Sequence, residues 1–273
     1  MNTQDFLKFM GKVKMYDLTQ PLSVHTPPWP SYVPLSVQYF KRIAGAHMGQ
    51  GANGQIITMS HHVGTHMDGE IHFYGAGRSI GEVPLQEWVG PGVVVDISDE
   101  VGDYDLYSPE MIQKRVEVKK GDILIINTGY HRYAWYEKQC DEVRYFVKHP
   151  GPDASFHKWA IDMKIRWIGV ECGSADHPMN TIIRQWHPKL FEEAEKKLKK
   201  RTGKLWDQYF PQDEYYQVMH LKLFPKKIVH AENLGGEIDK IGNKRCWIGC
   251  FPLKGMEFES AQCRIVAFDA PAD

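Results

Sequence analysis

The chain has 273 residues, 25% of them charged, and a formal net charge of −1 at pH 7. This near-neutral balance lacks the basic footprint of a nucleic-acid-binding protein and excludes nucleic acid as the expected main partner. The sequence has no apolar run of about 18 residues, so we expect no membrane span and no membrane partner.

The N-terminal segment and the cysteines indicate the cellular compartment. Residues 1–14 lack the apolar core and cleavage site of a signal peptide. The five cysteines are scattered and odd in number, which indicates reduced thiols rather than a disulfide framework. We therefore expect a cytoplasmic protein, and the length predicts a single domain over residues 1–273.

Hydrophobic patterns in chain order predict a mixed α/β protein. Short apolar runs rich in β-branched residues predict strands at 55–59, 93–97, 123–127, 167–170, 228–231, 246–249 and 263–268. Ser108 and Pro109 predict the beginning of a helix, because serine caps and proline suits the first turn. Further helices are predicted at 152–164 and 188–201, and the second places acidic residues before lysines, which complements the helix dipole.

The segment directly after the first predicted strand is the most informative part of the chain. Imidazole and carboxylate groups are the ligands that Zn²⁺ or Mn²⁺ prefers. A single histidine is more often solvated or hydrogen-bonded than a metal ligand, but a cluster around one turn favours a metal site. The clustered residues are His61, His62, His66, Asp68 and His72.

The backbone between the histidines must turn for them to share one ion. In an extended strand, His62 and His66 would lie roughly 13 Å apart. In a regular helix they would share a face, but Asp68 would point away from them. Gly64 tolerates the dihedral angles of a turn, so we expect the ligands on a strand-to-loop junction at a sheet end, after strand 55–59. His61 should point elsewhere.

The segment 62–72 reads His-x-Gly-Thr-His-x-Asp-x-x-x-His and resembles the signature of the cyclase-like metal hydrolases. This family includes bacterial kynurenine formamidase and isatin hydrolase. The family pattern usually has a proline two residues after the aspartate, where this chain has Glu70.

Other parts of the chain resemble the same family in the same order. Residues 16–22 resemble its opening strand, and 27–30 resemble a loop rich in proline and tryptophan. His220 and Glu232, twelve residues apart, resemble its second pair of metal-site residues. The resemblance runs from about residue 16 to 269, which leaves 1–14 as an N-terminal extension and 187–217 as an insertion.

The resemblance implies a swivelling β/β/α domain, an α/β fold with a central barrel-like mixed sheet and peripheral helices. It also implies one or two divalent ions, Zn or Mn. The first would be held by His62, His66 and Asp68, and the second by Asp68, His220 and Glu232. His72 would act as an acid/base beside the reacting centre, and relatives assemble as homodimers or homotetramers.

We therefore predict a metal-dependent hydrolase that cleaves a small amide or lactam, such as an N-formyl aryl amine or an isatin-like ring. A metal ion can activate water and polarise a carbonyl, and a histidine can protonate the leaving nitrogen. Trp29, with Tyr32 or Phe73, would form aromatic walls for this small-molecule substrate.

Two classes of alternative stay open. An ester or lactone hydrolase, or a lyase or cyclase, can use the same metal site, since one fold serves several substrates. A non-catalytic metal-binding module would instead have a closed coordination shell. The sequence leaves open the native metal, the number of ions, the oligomeric state, and the roles of Asp176 and His177.

Overall fold

The computed structural model describes residues 2–45 and 51–271 of the chain. The predicted single domain also includes Met1, 46–50 and 272–273, which lie outside the described residues. The strands are β1 (Lys14–Asp17), β2 (Ser36–Lys41), β3 (Gly54–Thr58), β4 (His66–Asp68), β5 (Val89–Asp96), β6 (Leu106–Tyr107), β7 (Ile123–Asn127), β8 (Gly151–Pro152), β9 (Trp167–Val170), β10 (Val229–Glu232), β11 (Lys244–Pro252) and β12 (Ser260–Asp269).

The helices lie around these strands. They are α1 (Thr3–Met10), α2 (Leu85–Trp88), α3 (Pro109–Arg115), α4 (Phe156–Asp162), α5 (Ile183–Trp186), α6 (Pro188–Thr202), α7 (Trp206–Tyr209), α8 (Gln212–Tyr215) and α9 (Val218–Leu223). Within the described ranges, no helix combines the length and the apolar character needed to cross a membrane.

A closed mixed barrel forms the centre of the molecule. Among the described residues it has seven strands in the order β12-β11-β5-β7-β9-β10-β4, and the pairing of β4 with β12 closes it. The pairs from β5 through β7 and β9 to β10 are parallel, and the others are antiparallel. This arrangement confirms the predicted barrel-like mixed sheet with peripheral helices.

Side-chain alternation divides the core into two apolar layers. On β7, Ile123 and Ile125 point into the barrel interior. There they belong to a cluster to which each barrel strand contributes the residues of one face. Leu124 and Ile126 point outward and pack with residues of the surrounding helices, such as Phe156 of α4. A strand buried on both faces reads as a continuous apolar run, which is why the sequence located β7 and β9 at their observed bounds.

The predicted helices and most predicted strands occur within a few residues of the expected bounds. The helix predicted at 152–164 is shorter because β8 occupies its first residue and the helix begins at Phe156. The predicted strand 55–59 corresponds to β3, which pairs with β2 in a separate two-stranded sheet. Residues 187–217 form α6 to α8, and their status as an insertion stays a prediction.

Candidate active site

Two neighbouring strands of the barrel place four chemically active side chains on one face. β4 and β10 are antiparallel, with Glu232 opposite His66. Alternate residues of a strand share a face, and Met67 and Ala231, which lie between the active pairs, point into the barrel interior. The side chains on the outward face are therefore His66, Asp68, His230 and Glu232.

A turn brings His62 back to this face, as the sequence predicted. Gly64 has a φ of +64°, in the left-handed region that favours glycine. The Thr65 hydroxyl donates to the carbonyl of Asn233 at 2.6 Å and fixes the turn against the end of β10. The expected junction between loop and strand is present. His62 lies in the loop, whereas His66 and Asp68 lie within β4, which pairs with β10 and β12.

Asp68 lies between two sets of nitrogen atoms. Its Oδ1 atom is 3.3 Å from Nδ1 of His62 and 3.3 Å from Nε2 of His66. Those two ring nitrogens face each other at 3.0 Å. We call His62, His66 and Asp68 the first set, and it coincides with the first ligand set implied by the family resemblance.

The other carboxylate oxygen of Asp68 faces a second set. Its Oδ2 atom is 3.4 Å from Nδ1 of His230 and 3.6 Å from Nε2 of His220. Oε1 of Glu232 is 3.4 Å from the same His230 nitrogen. We call Asp68, His220, His230 and Glu232 the second set. It contains the three residues expected from the resemblance and adds His230.

The unpaired polar atoms at this site fit a divalent cation. Among the described residues, neither oxygen of Asp68 and neither ring nitrogen of His230 has a hydrogen-bond partner, although both side chains are buried. Buried polar groups are normally hydrogen-bonded. Tetrahedral coordination at about 2.0–2.1 Å places neighbouring ligand atoms about 3.3 Å apart, close to the separations observed here. The nitrogen and oxygen donors suit zinc or manganese.

The pKa values of the clustered side chains reflect the negative charge of the carboxylates. Burial opposes the charged form of His62, yet Asp68 and Glu259 raise its pKa to about 10. Burial likewise opposes the charged form of His220, and Asp176 and Asp68 raise its pKa to about 10. Burial also opposes ionisation of Asp68, but the surrounding histidines hold its pKa well below its ordinary value. The carboxylates thus favour positive charge at the position where a cation would bind.

The loop after β9 orients the second set, which gives Asp176 a role that the sequence left open. Asp176 accepts hydrogen bonds from Nδ1 of His220 at 2.7 Å and from the backbone of Met219 at 3.0 Å. The Ala175 amide donates to Glu232 at 2.8 Å. Such contacts fix the ring orientation and the free nitrogen of a metal-ligating histidine.

His177 lies outside the cluster. Its Nδ1 atom accepts from the Met179 amide at 3.1 Å, and its Nε2 atom is 3.3 Å from the carbonyl of Tyr104. Both ring nitrogens therefore have partners within the protein. Burial lowers the pKa of His177 to about 3, which keeps the ring neutral.

His72 lies beside the first set and is held by a residue that the sequence analysis did not identify. Its Nδ1 atom is 2.7 Å from Oε2 of Glu259. The same oxygen is 3.0 Å from Nε2 of His62, and Ser260 donates to Oε1 at 2.8 Å. Burial opposes ionisation of Glu259, but His62 and His72 hold its pKa well below its ordinary value.

Glu70, which replaces the usual family proline, shapes the loop by an ion pair. It is buried, and its carboxylate accepts from Nε of Arg78 at 2.9 Å and from Nη2 at 2.6 Å. The Arg78 backbone amide also donates to Glu70, at 3.0 Å. The chain after Asp68 is thus fixed by side-chain pairing at the position where the family pattern has a rigid residue.

A narrow cleft with aromatic walls lies over the cluster. It has a volume of about 40 Å³, and its walls include Trp29, Tyr32 and Phe73. His72 and residues of both ligand sets also line it, namely His62, Asp68, His220 and Glu232. The Trp29 amide donates to the carbonyl of His62 at 2.9 Å, which ties the aromatic loop to the metal-site turn. Trp29 and Phe73 therefore lie at the place predicted for substrate walls.

Sequence reasoning missed two residues of this site. His230 could have been found from the sequence, because it lies two residues before Glu232 and within the predicted strand 228–231. Alternate residues of a strand share a face. Glu259 carried no such local signal, since only the pairing of Ser260 with Asp68 brings it to the cluster. His61, the expected bystander, packs on Phe258 at 4.5 Å between ring centroids.

Comparison with known proteins agrees with the fold and the motif. Kynurenine formamidase of Bacillus cereus is 29% identical over 183 residues, which cover 65% of this chain and 77% of that protein. Isatin hydrolase A from Labrenzia aggregata, described as bound to benzyl benzoate, superposes with a TM-score of 0.75 at 19% identity, covering 98% of this chain and 99% of that chain. An isatin hydrolase described as bound to the product analogue thioisatinate gives a TM-score of 0.71 at 19% identity, covering 99% of this chain and 100% of that chain.

At this level of identity, the two solved structures show a shared fold. The model of the Cyclase family ("Putative cyclase") matches residues 16–177, more than half of the chain and including the histidine segment. The chain therefore belongs to the Cyclase family.

Proposed function

We propose that the protein is a metal-dependent hydrolase that cleaves the carbonyl–nitrogen bond of a small amide or lactam. The observation that carries this proposal is the position of Asp68, whose two unpaired oxygens each face a pair of imidazole nitrogens. The relatives support the reaction class, since one is named a formamidase and others are isatin hydrolases. The best substrate class is an N-formyl aryl amine or an isatin-like ring.

The first and second sets would hold one or two divalent ions, zinc or manganese. Bound there, an ion would polarise the substrate carbonyl and lower the pKa of coordinated water to about 7. Asp68 contributes one oxygen to each set, so it would be shared if both positions are filled. The imidazole and carboxylate donors suit either metal.

His72 would protonate the leaving nitrogen. Its Nδ1 atom lies against Glu259 at 2.7 Å, which leaves Nε2 as the nitrogen available to a substrate in the cleft. An imidazole can act as a general acid towards a leaving group within hydrogen-bond reach. Glu259 would keep the ring in the orientation in which Nε2 faces the cleft.

Trp29 and Phe73 would bind the aromatic part of the substrate. The rings of Trp29 and Tyr32 are 5.6 Å apart, and the ring of Phe73 is 4.5 Å from that of His220. A cleft of about 40 Å³ is far smaller than the roughly 300 Å³ or more of a typical ligand pocket. Substrate binding would therefore require the cleft to widen.

An ester hydrolase is the second candidate, because the same groups would polarise an ester carbonyl. The structural relative bound to benzyl benzoate, an ester, favours testing it. An aryl amide and an aryl ester with the same acyl group separate the two, because only the amide has a poor leaving group that depends on proton donation. Greater catalytic acceleration of the amide, relative to each uncatalysed rate, would favour the amidase.

The direct test uses purified protein with an N-formyl aryl amine and isatin as substrates. We expect turnover that disappears after chelation and returns when Zn²⁺ or Mn²⁺ is added. Turnover that is unaffected by a chelator, in protein shown to have lost its metal, would contradict the proposal. A metal-loaded protein that hydrolyses no amide, lactam or ester would support a non-catalytic metal-binding module.

The chain would assemble as a homodimer or homotetramer in the cytoplasm. The ribbon of β2 and β3 is exposed and apolar, with Phe40 66% and Ile57 58% accessible, and none of the residues of α1 is buried. An isolated two-stranded ribbon is only marginally stable in water, so a second copy of the chain is the expected cover. Light scattering on the purified protein tests the assembly.

The free state of the cysteines fits the proposed location in the cytoplasm, which is a reducing compartment.

A further inference from the structure

His230 is the most unusual residue of the second set. It lies on β10 and is 0% exposed, and neither of its ring nitrogens has a hydrogen-bond partner among the described residues. Its Nδ1 atom is 3.4 Å from Asp68 and 3.4 Å from Glu232, longer than a good hydrogen bond to either carboxylate. A neutral histidine in this position would leave a buried donor and a buried acceptor unpaired, which is destabilising.

Ordinary packing does not explain an imidazole at this position. The ring centroid of His230 is 4.7 Å from that of Phe224 and 4.4 Å from that of His220. An apolar side chain would make the same packing contacts without burying polar atoms. Protonation would supply one ion pair with the carboxylates. A bound cation would engage the same nitrogen and both carboxylates at once.

The distances fit a complete coordination shell. One ligand atom from each residue of the second set lies within 4.8 Å of all the others. The contacts of Asp68 with His220 and His230, and of His230 with Glu232, measure 3.4–3.6 Å. These values approach the separation of about 3.3 Å between ligand atoms in tetrahedral coordination.

We infer that His230 is a metal ligand and that the second set is a closed, four-ligand site, whereas the first set holds its ion with three ligands and an open position. Closed four-ligand shells are typical of structural zinc, and three-ligand shells leave room for water or substrate. The inference rests on the proposed metal-dependent function. It assigns the chemistry to the ion at His62, His66 and Asp68, and gives the other ion a supporting role.

Cobalt binding tests this assignment without an activity assay. Apoprotein is titrated with Co²⁺, and the visible absorption of bound Co²⁺ is used to measure the number of bound ions and their affinities. His230→Leu is compared with His149→Leu. His149 is equally buried and has an unpaired nitrogen, but it belongs to neither set.

We expect two bound ions in the wild type, with one held more tightly than the other. His230→Leu should weaken the tight ion by more than the roughly 10- to 100-fold typical for losing a residue that only orients a ligand. His149→Leu should retain both. Unchanged binding of the tight ion in folded His230→Leu would overturn the inference. A wild type that binds no Co²⁺ would also overturn it, as would one that binds a single ion whose binding is lost in His66→Ala.

Wild-type protein supplies a second measurement if His230→Leu does not fold. Long-range ¹H–¹⁵N spectra of the imidazoles, recorded during Zn²⁺ addition, should show a shift of Nδ1 of His230, and an unchanged signal would overturn the inference. The proposed function fails separately. Metal-dependent turnover with no role for His230 contradicts only the inference, whereas a His230-dependent ion in a protein without hydrolytic activity contradicts only the function.

Discussion

The two ligand sets that share Asp68 differ in how the chain builds them. The first set comes from seven consecutive positions, 62–68, folded back by one glycine turn. The second set comes from β4, α9 and β10, which are far apart in sequence. A local turn therefore makes one half of the site predictable from the sequence, whereas strand register creates the other half.

The two sets also differ in their surroundings. The first set is flanked by His72 and Glu259, whose side chains remain partly exposed, with Glu259 40% accessible. The second set is braced from behind by Asp176 and Ala175, both buried. We therefore expect substitutions beside the first set to change turnover and substitutions in the second set to change metal retention.

Among residues outside the two ligand sets, the largest effect on turnover should come from His72→Gln. Loss of a proton donor typically lowers turnover by about 10²–10⁴-fold, and the metal content should stay the same because His72 belongs to neither set. Amide hydrolysis and elemental analysis measure the two quantities. His25→Gln, at an exposed histidine outside both sets, is the control and should change turnover little. Loss of metal in His72→Gln would instead make His72 a ligand.

Glu259→Gln should have an intermediate effect, because it acts through His72 and His62. Residues that orient catalytic or ligating histidines typically contribute about 10- to 100-fold. The loss should be larger for an aryl amide than for an activated aryl ester, whose leaving group needs no proton. The exposed Glu257→Gln, two residues earlier, is the control. Equal losses on both substrates would show that Glu259 does not act through proton donation.

Trp29→Ala should have the smallest effect and should act on binding. Removing an aromatic wall that contacts substrate in both ground and transition states raises KM and leaves kcat nearly unchanged. We expect KM to rise about tenfold, which corresponds to about 1.4 kcal/mol of binding free energy. Trp247→Ala, at an exposed position of β11, is the matched control. A fall in kcat with unchanged KM would place Trp29 in the reaction rather than in the pocket wall.

The same difference between local and long-range order explains how much of the molecule could be predicted. β7 and β9 were found at their bounds because both faces are buried, and α3 because Ser108 and Pro109 mark its first turn. The position of His66 and Asp68 within β4 was missed, because three residues are too short to carry a strand pattern. Glu259 could not be found, since nothing near it in sequence encodes the pairing of β12 with β4.

The central claim is that Asp68 organises a metal site, and metal content tests it most directly. Wild type and Asp68→Asn are purified without chelators and analysed for metal per chain, with circular dichroism to confirm that both are folded. We predict about one to two equivalents of zinc or manganese in the wild type, and their loss from Asp68→Asn. A folded wild type that contains no metal, and takes up none when Zn²⁺ or Mn²⁺ is added, would contradict the account.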